Sequence, residues 1–105
     1  MAPTREARHG RIYTRHGNIK LSKFKDSTDL LDDDCDCPVC TNGHTRGELR
    51  DLMKSQNNED RVKYYNLASI HNLRFIIRLT EEIREAIING NFKEYKDNFL
   101  KDYYN

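Results

Sequence analysis

Apolar residues are spread unevenly along this chain of 105 residues, and their spacing predicts its elements. The strongest period lies in the second half. Ile70, Leu73, Ile76, Ile77, Thr80, Ile83, Ile87 and Ile88 recur at three- and four-residue intervals, which predicts a helix from about 67 to 89. Gly90 follows where a glycine C′ residue is expected. A shorter helix over about 91–102 places Phe92, Tyr95, Phe99 and Leu100 on one side. Upstream, Leu49, Leu52 and Met53 share a face of a third helix, capped by Thr45 and running to about Ser55. Residues 56–60 read as a polar loop.

Nearer the start the period changes to two. Arg11-Ile12-Tyr13-Thr14 and Asn18-Ile19-Lys20-Leu21 alternate apolar with polar residues on either side of Arg15-His16-Gly17, a hairpin signal. A lone hairpin is marginal in water, so this one must pack on something. Residues 2–10 contain Pro3 and Gly10 and show no period, so they read as loop. Residues 26–36 hold six aspartates and read as extended and solvated.

Composition makes the core look thin. Hydrophobic residues are 36% of the chain against 33% charged, and there is no Trp. A chain this short buries only about two-thirds of its unfolded surface, so a metal or a partner would strengthen it. The net charge of +1 conceals a polarity. Residues 1–25 carry seven bases (Arg5, Arg8, Arg11, Arg15, Lys20, Lys23, Lys25) against Glu6, whereas residues 26–60 carry ten acids against three bases. A basic end on a near-neutral chain predicts one face for an anionic partner. Residues 1–20 lack the apolar region of a secretory signal, and no apolar run approaches a membrane span. Three cysteines within six residues cannot all pair, which fits a reducing compartment. The expectation is a cytoplasmic protein with no membrane partner.

Cys35-Asp36-Cys37-Pro38-Val39-Cys40 is Cys-x-Cys-x-x-Cys. Thiolates this close converge on one ion if the backbone turns sharply, and Pro38 favours that turn. A redox dithiol would use Cys37-x-x-Cys40, but a third thiol stands beside it and no thioredoxin-like strand pattern surrounds it. An iron–sulfur cluster normally takes four cysteines, and the chain has three. Structural zinc takes a closed tetrahedron of sulfur and nitrogen, so three cysteines call for a histidine. His9 and His16 fall in the basic arm and hairpin turn. His44 gives the short spacing Cys40-x-x-x-His44, and His71 sits in the first turns of the predicted long helix. Spacing alone leaves His44 and His71 both open.

From Pro3 to Leu100 the chain resembles the C-terminal part of the tRNA-guanine transglycosylases, the queuine/archaeosine tRNA-ribosyltransferase family. The resemblance rests on Pro3-Thr4-Arg5-Glu6-Ala7-Arg8-His9-Gly10, on Asp32 through Cys40, on Thr45-Arg46 with Leu49-Arg50-Asp51-Leu52, and on Ile70-His71-Asn72-Leu73-Arg74-Phe75. It implies that His71 completes a Zn2+ site with Cys35, Cys37 and Cys40, leaving His44 a loop residue. It implies that Arg5 and Arg8 match the arginine pair that grips tRNA around the target guanine. The interval from Cys40 to His71 is five residues longer than is usual in the family, and the polar loop 56–60 accommodates the extra length.

The implied fold is α+β: a fragment of a TIM (β/α)8-barrel family with a small zinc-binding subdomain, made of a β-hairpin and a short helix, and a long C-terminal helix. Residues 1–25 would form a basic tRNA-contacting arm and hairpin, 26–66 the zinc-binding subdomain, and 67–105 the C-terminal helices. Family enzymes exchange guanine for a 7-deazaguanine through a covalent intermediate on an aspartate a few residues before the Pro-Thr-Arg segment. Only Met1 and Ala2 precede Pro3, so no residue of this chain inherits the nucleophile's role. The expectation is a truncated or split transglycosylase that binds zinc and tRNA and needs a companion chain for the barrel and nucleophile. A homodimer through the zinc subdomain, as in bacterial relatives, is also implied. The alternative is a remnant or zinc-dependent dimerisation module with no catalytic or RNA role.

Overall fold

The computed structural model describes residues 3–32 and 35–103, and the architecture below concerns those residues. Its axis is a single helix, α4 (Asn58–Ile88), of 31 residues. At 1.5 Å per residue it is about 46 Å long, which sets most of the 50 Å longest dimension of the molecule. The helix begins at 58, not near 67 as its apolar period predicts, and residues 58–60 of the expected loop are its first turn. The cause is local. The Asn57 side chain accepts the Glu59 N–H at 2.8 Å, and Glu59 and Asp60 place negative charge on the positive end of the helix dipole. Gly90, at φ +76°, follows the helix.

The N-terminal segment packs across the first half of this axis. Residues 3–8 were expected to be loop and instead form helix α1 (Pro3–Arg8). Proline costs nothing in a first helical turn, where its missing N–H would have no partner. With only six residues, the helix is too short to show a period. Gly10, at φ +77°, turns the chain into β1 (Arg11–Ile12), which pairs antiparallel with β2 (Ile19–Lys20). Arg11 lies opposite Lys20, and Ile12 opposite Ile19. The strands are shorter than the sequence pattern because Tyr13 turns its backbone groups to α4: its N–H donates to Asn72 Oδ1 at 3.0 Å. A 3-10 turn, Leu21–Lys23, follows β2.

Residues 24–32 are less solvated than their aspartates suggest. Arg46 stacks over the Phe24 ring at 4.8 Å and donates to the Leu30 carbonyl at 2.9 Å. Leu31 and Asp32 are buried, so the acidic stretch is not a solvated turn throughout; Asp33 and Asp34 lie outside the described residues. The cysteine motif contains a one-turn helix, α2 (Pro38–Thr41). The next helix, α3 (Arg46–Lys54), is capped as expected, with the Thr45 hydroxyl accepting the Glu48 N–H at 3.1 Å. The last element among the described residues is α5 (Phe92–Tyr103), where Tyr95, Phe99 and Tyr103 stack in succession at 6.2 and 5.6 Å.

The core lies between this N-terminal half and the first half of α4. Ala7, Ile12, Leu21, Leu31, Val39, Leu49, Tyr64 and Ala68 form it together with Cys37 and Cys40. The buried face of α4 is Tyr64, Ala68, His71, Asn72 and Phe75. The aliphatic stripe that announced the helix faces elsewhere: Ile70, Leu73, Ile77, Ile87 and Ile88 are 42–72% exposed. The whole is mostly helical with one two-stranded ladder.

Candidate metal centre

Three local features bring the thiols together. Pro38 starts α2, Cys37 is its N-cap, and the Cys37 sulfur accepts the Cys40 N–H at 3.4 Å. The Cys35 sulfur in turn accepts the Cys37 N–H at 3.4 Å. The backbone therefore wraps its own sulfurs, and all three point at α4. There Nδ1 of His71 lies 3.5 Å from Cys35 Sγ, 3.4 Å from Cys37 Sγ and 3.5 Å from Cys40 Sγ. Cys37, Cys40 and His71 are buried and Cys35 is half-buried.

These distances fit a metal. A tetrahedral zinc with Zn–S of about 2.3 Å and Zn–N of about 2.0–2.1 Å sets sulfur and nitrogen about 3.6 Å apart. The four ligand atoms lie within 4.8 Å of one another and could hold one ion. The imidazole is also oriented for it. Nε2 of His71 lies 2.8 Å from the Tyr13 carbonyl, which has only acceptor capacity, so Nε2 carries the proton and Nδ1 presents its lone pair to the thiols.

Electrostatics points the same way. Hydrogen bonds from the Cys35 and Cys40 thiols pull Cys37 well below the ordinary thiol range. The neighbouring Cys35 and Cys37 sulfurs push Cys40 well above it. Three thiolates this close would repel one another, and a bound cation would relieve that repulsion. Nearby, Asp32 is buried, and burial raises its carboxyl above the usual range although it accepts the Arg15 N–H at 3.2 Å.

His71 stands at the middle of α4 and not in its first turns, because the helix begins early. His44 makes a different contact: its Nδ1 lies 3.0 Å from the Glu48 carboxylate. His9 and His16 are exposed. Arg5 and Arg8 lie on α1, both exposed, with the Arg8 guanidinium 5.3 Å from the Tyr65 ring.

Two supporting groups were not singled out by their chemistry in the sequence. Asn72 is fully buried and saturated: its amide donates to the Pro3 carbonyl at 3.1 Å and the Arg11 carbonyl at 3.0 Å, while its oxygen accepts from Tyr13. His71 and Asn72 thus hold the two sides of one residue, Tyr13. Arg74 grips Asp36, inside the cysteine motif, through two bonds of 2.9 Å. The adjacency of His71 and Asn72 beside Arg74 is visible in the sequence, but their partners are 31 to 69 residues away.

A sequence model described as queuine tRNA-ribosyltransferase matches residues 1–105. The queuine tRNA-ribosyltransferase of Fusobacterium nucleatum is 44% identical over 103 residues, covering 96% of this chain and 26% of that protein. That of Dictyoglomus turgidum is 42% identical over 103 residues, covering 96% and 25%. That of Natranaerobius thermophilus is 39% identical over 105 residues, covering 98% and 27%. The chain therefore spans about a quarter of the length of the curated relatives it matches, in their C-terminal portion. No helix among the described residues is long and apolar enough to cross a membrane. With a family-wide match over its full length, the chain belongs to the queuine tRNA-ribosyltransferase family.

Proposed function

We propose that this chain is the zinc-clasped, tRNA-binding portion of an enzyme that exchanges guanine for a 7-deazaguanine base in tRNA. Zn2+ would be held by Cys35, Cys37, Cys40 and His71, and the donor set and its spacing support that ion over harder cations, which prefer oxygen. Bound there, zinc would act structurally, cross-linking the cysteine loop to α4.

The observation that carries the reading is the link between metal and arm. His71 holds the Tyr13 carbonyl, and Asn72 holds Tyr13, Arg11 and Pro3, so the helix bearing Arg5 and Arg8 is anchored to the residue beside the metal ligand. Residues 1–25 then serve as the RNA arm, 26–66 as the zinc-binding part and 67–105 as the closing helices, with α4 running through the second boundary. The fold is that of a TIM-barrel fragment, and the protein works in the cytoplasm.

No catalytic residue is assigned within this sequence. The aspartate nucleophile and the rest of the barrel belong to a longer or companion polypeptide. The half-exposed apolar residues Val62, Ile70, Leu73, Ile77 and Ile87 on one side of α4 support such a protein partner, because soluble monomers rarely expose large apolar patches. A second copy of this chain would cover the same stripe, and sedimentation with and without the companion separates the two.

Binding of tRNA at low and moderate salt tests the reading. The chain should bind, and Arg5→Ala with Arg8→Ala should weaken that binding. No detectable binding, or binding unchanged by the pair, would sink the RNA role. Labelled guanine should enter tRNA only when the companion is added; incorporation by this chain alone would refute the division of labour.

A further inference from the structure

Cationic side chains that are distant in sequence line one concavity of about 860 Å³. Arg5 and Arg8 come from α1, Arg11 from β1, Lys20 from the end of β2, and Lys54 from the last residue of α3. Among the described lining residues Glu6 is the acid, and Arg11 approaches it to 3.5 Å. The surface is selective in a way composition does not foretell. Arg15, in the same basic arm, is turned away and paired through both guanidinium nitrogens with Glu82. Lys23 and Lys25 are exposed but do not line the concavity, whereas Lys54 is drawn in from the acidic part of the chain.

The packing explains Lys54. Met53 Sδ lies 2.9 Å from where a Cβ on Gly10 would stand, so the end of α3 packs closely against the turn between α1 and β1, whose φ of +77° at Gly10 favours glycine. The Gly10 carbonyl accepts the Leu21 N–H at 2.9 Å, which fixes Lys20 beside the same turn. Among the described residues, His9 is the one ring in the lining, beside the five cations. A lining this rich in cations suits a sugar-phosphate backbone.

We propose that this concavity is a phosphate-backbone seat for RNA, in which Lys20, Lys54 and Arg11 hold phosphates next to the stretch contacted by Arg5 and Arg8. The inference rests on the tRNA reading above and adds three contacts that the family motif around Arg5 and Arg8 does not contain. It also excludes Arg15, Lys23 and Lys25 from the seat.

The test compares three double variants of the zinc-loaded chain: Lys20→Ala with Lys54→Ala, Lys23→Ala with Lys25→Ala, and Arg5→Ala with Arg8→Ala. The probes are a tRNA transcript and poly(U) of equal length, titrated across a salt series, with far-UV circular dichroism confirming that each variant is folded. All four lysines are exposed, so folding is expected to survive. Removing Lys20 and Lys54 should weaken both RNAs about tenfold at moderate salt. It should also flatten the plot of log affinity against log salt by about 1.5, two phosphate contacts at about 0.7–0.9 each. Removing Lys23 and Lys25 should change affinity by less than about twofold. Equal losses from the two lysine pairs, or tRNA binding that ignores Lys20 and Lys54, would overturn the seat and leave the tRNA reading standing. Equal affinity for the two RNAs, with no extra tRNA loss from the arginine pair, would overturn the tRNA reading and leave the seat. Absence of binding to either RNA would overturn both.

Discussion

The two faces of α4 reverse the usual assignment of polar and apolar residues. One face carries Tyr64, Ala68, Ser69, His71, Asn72 and Phe75, all buried against the N-terminal half. The other carries Val62, Ile70, Leu73, Ile77 and Ile87, which are 42–59% exposed. Among the described residues the apolar face is only about half covered, yet the face rich in hydrogen-bonding groups is the one inside. Burying such groups costs free energy unless each finds a partner. Here most do: Tyr64 donates to the Ala7 carbonyl, Asn72 makes three bonds, and His71 is held by Tyr13 on one side and the thiols on the other. The buried face is therefore held by specific partners, and removing a partner should hurt it far more than altering the bare face.

Metal removal should have the largest effect. Structural zinc contributes about 10–16 kcal/mol in small finger peptides, more than the thin core here can replace. Chelation should abolish hydrogen-exchange protection in α1, α2 and α3 while leaving the second half of α4 little changed. Uniform protection after complete metal loss would show that the clasp is dispensable.

Within the clasped half, Asn72→Ala should cost about 3 kcal/mol or more, because it strands the Tyr13 N–H and the Pro3 and Arg11 carbonyls. Leu49→Ala, at a fully buried core position, should cost about 2–5 kcal/mol. On the bare face, Ile77→Ser should change the chain's denaturation midpoint little and reduce self-association in sedimentation. Equal destabilisation by Asn72→Ala and Ile77→Ser would erase the contrast between the faces.

The buried tyrosine gives a pH signature. Burial pushes the Tyr64 hydroxyl up to about 12 from its ordinary value of 10.0. The folded state therefore keeps a proton that the unfolded state releases. Its contribution is complete below about pH 10 and is lost as pH rises toward 12, a fall of up to about 2–3 kcal/mol. Tyr64→Phe should flatten that decline in thermal melts between pH 9.5 and 12. An unchanged decline would assign it elsewhere. The smallest effect is expected at the surface pair of Asp36 and Arg74. The Arg74 guanidinium holds the Asp36 carboxyl below the ordinary carboxylate range. That contribution is present above the ordinary pKa and fades as acid titrates through the lowered one. Asp36→Asn should remove a small, salt-sensitive part of the acid dependence.

How legible this architecture was depends on whether its cause is local. Thr45 capping α3, the hairpin around Gly17 and Gly90 after α4 all follow from chemistry within a few residues, and each stands where the sequence places it. The early start of α4 was equally local, since Asn57, Glu59 and Asp60 form a helix start, but a polar run hid it from a reading based on apolar period. The helix at Pro3–Arg8 was hidden by its shortness. The orientation of α4 was not legible in this way. Its isoleucine period identifies a helix, but the buried face is chosen by Tyr13, Ala7 and the cysteine loop, partners 31 to 59 residues away. The spacing of the cysteine motif pointed to a cluster able to hold a metal, whereas spacing left the fourth member open between His44 and His71. Geometry brings only His71 up to the three sulfurs, with His44 turned to Glu48.

Whether one zinc joins the cysteine loop to α4 through His71 is read out by native mass spectrometry. The wild-type chain and His44→Ala should each carry one zinc per chain. His71→Ala should lose it or hold it far more weakly under the same chelator challenge. Loss of zinc from His44→Ala with full retention by His71→Ala would contradict the account.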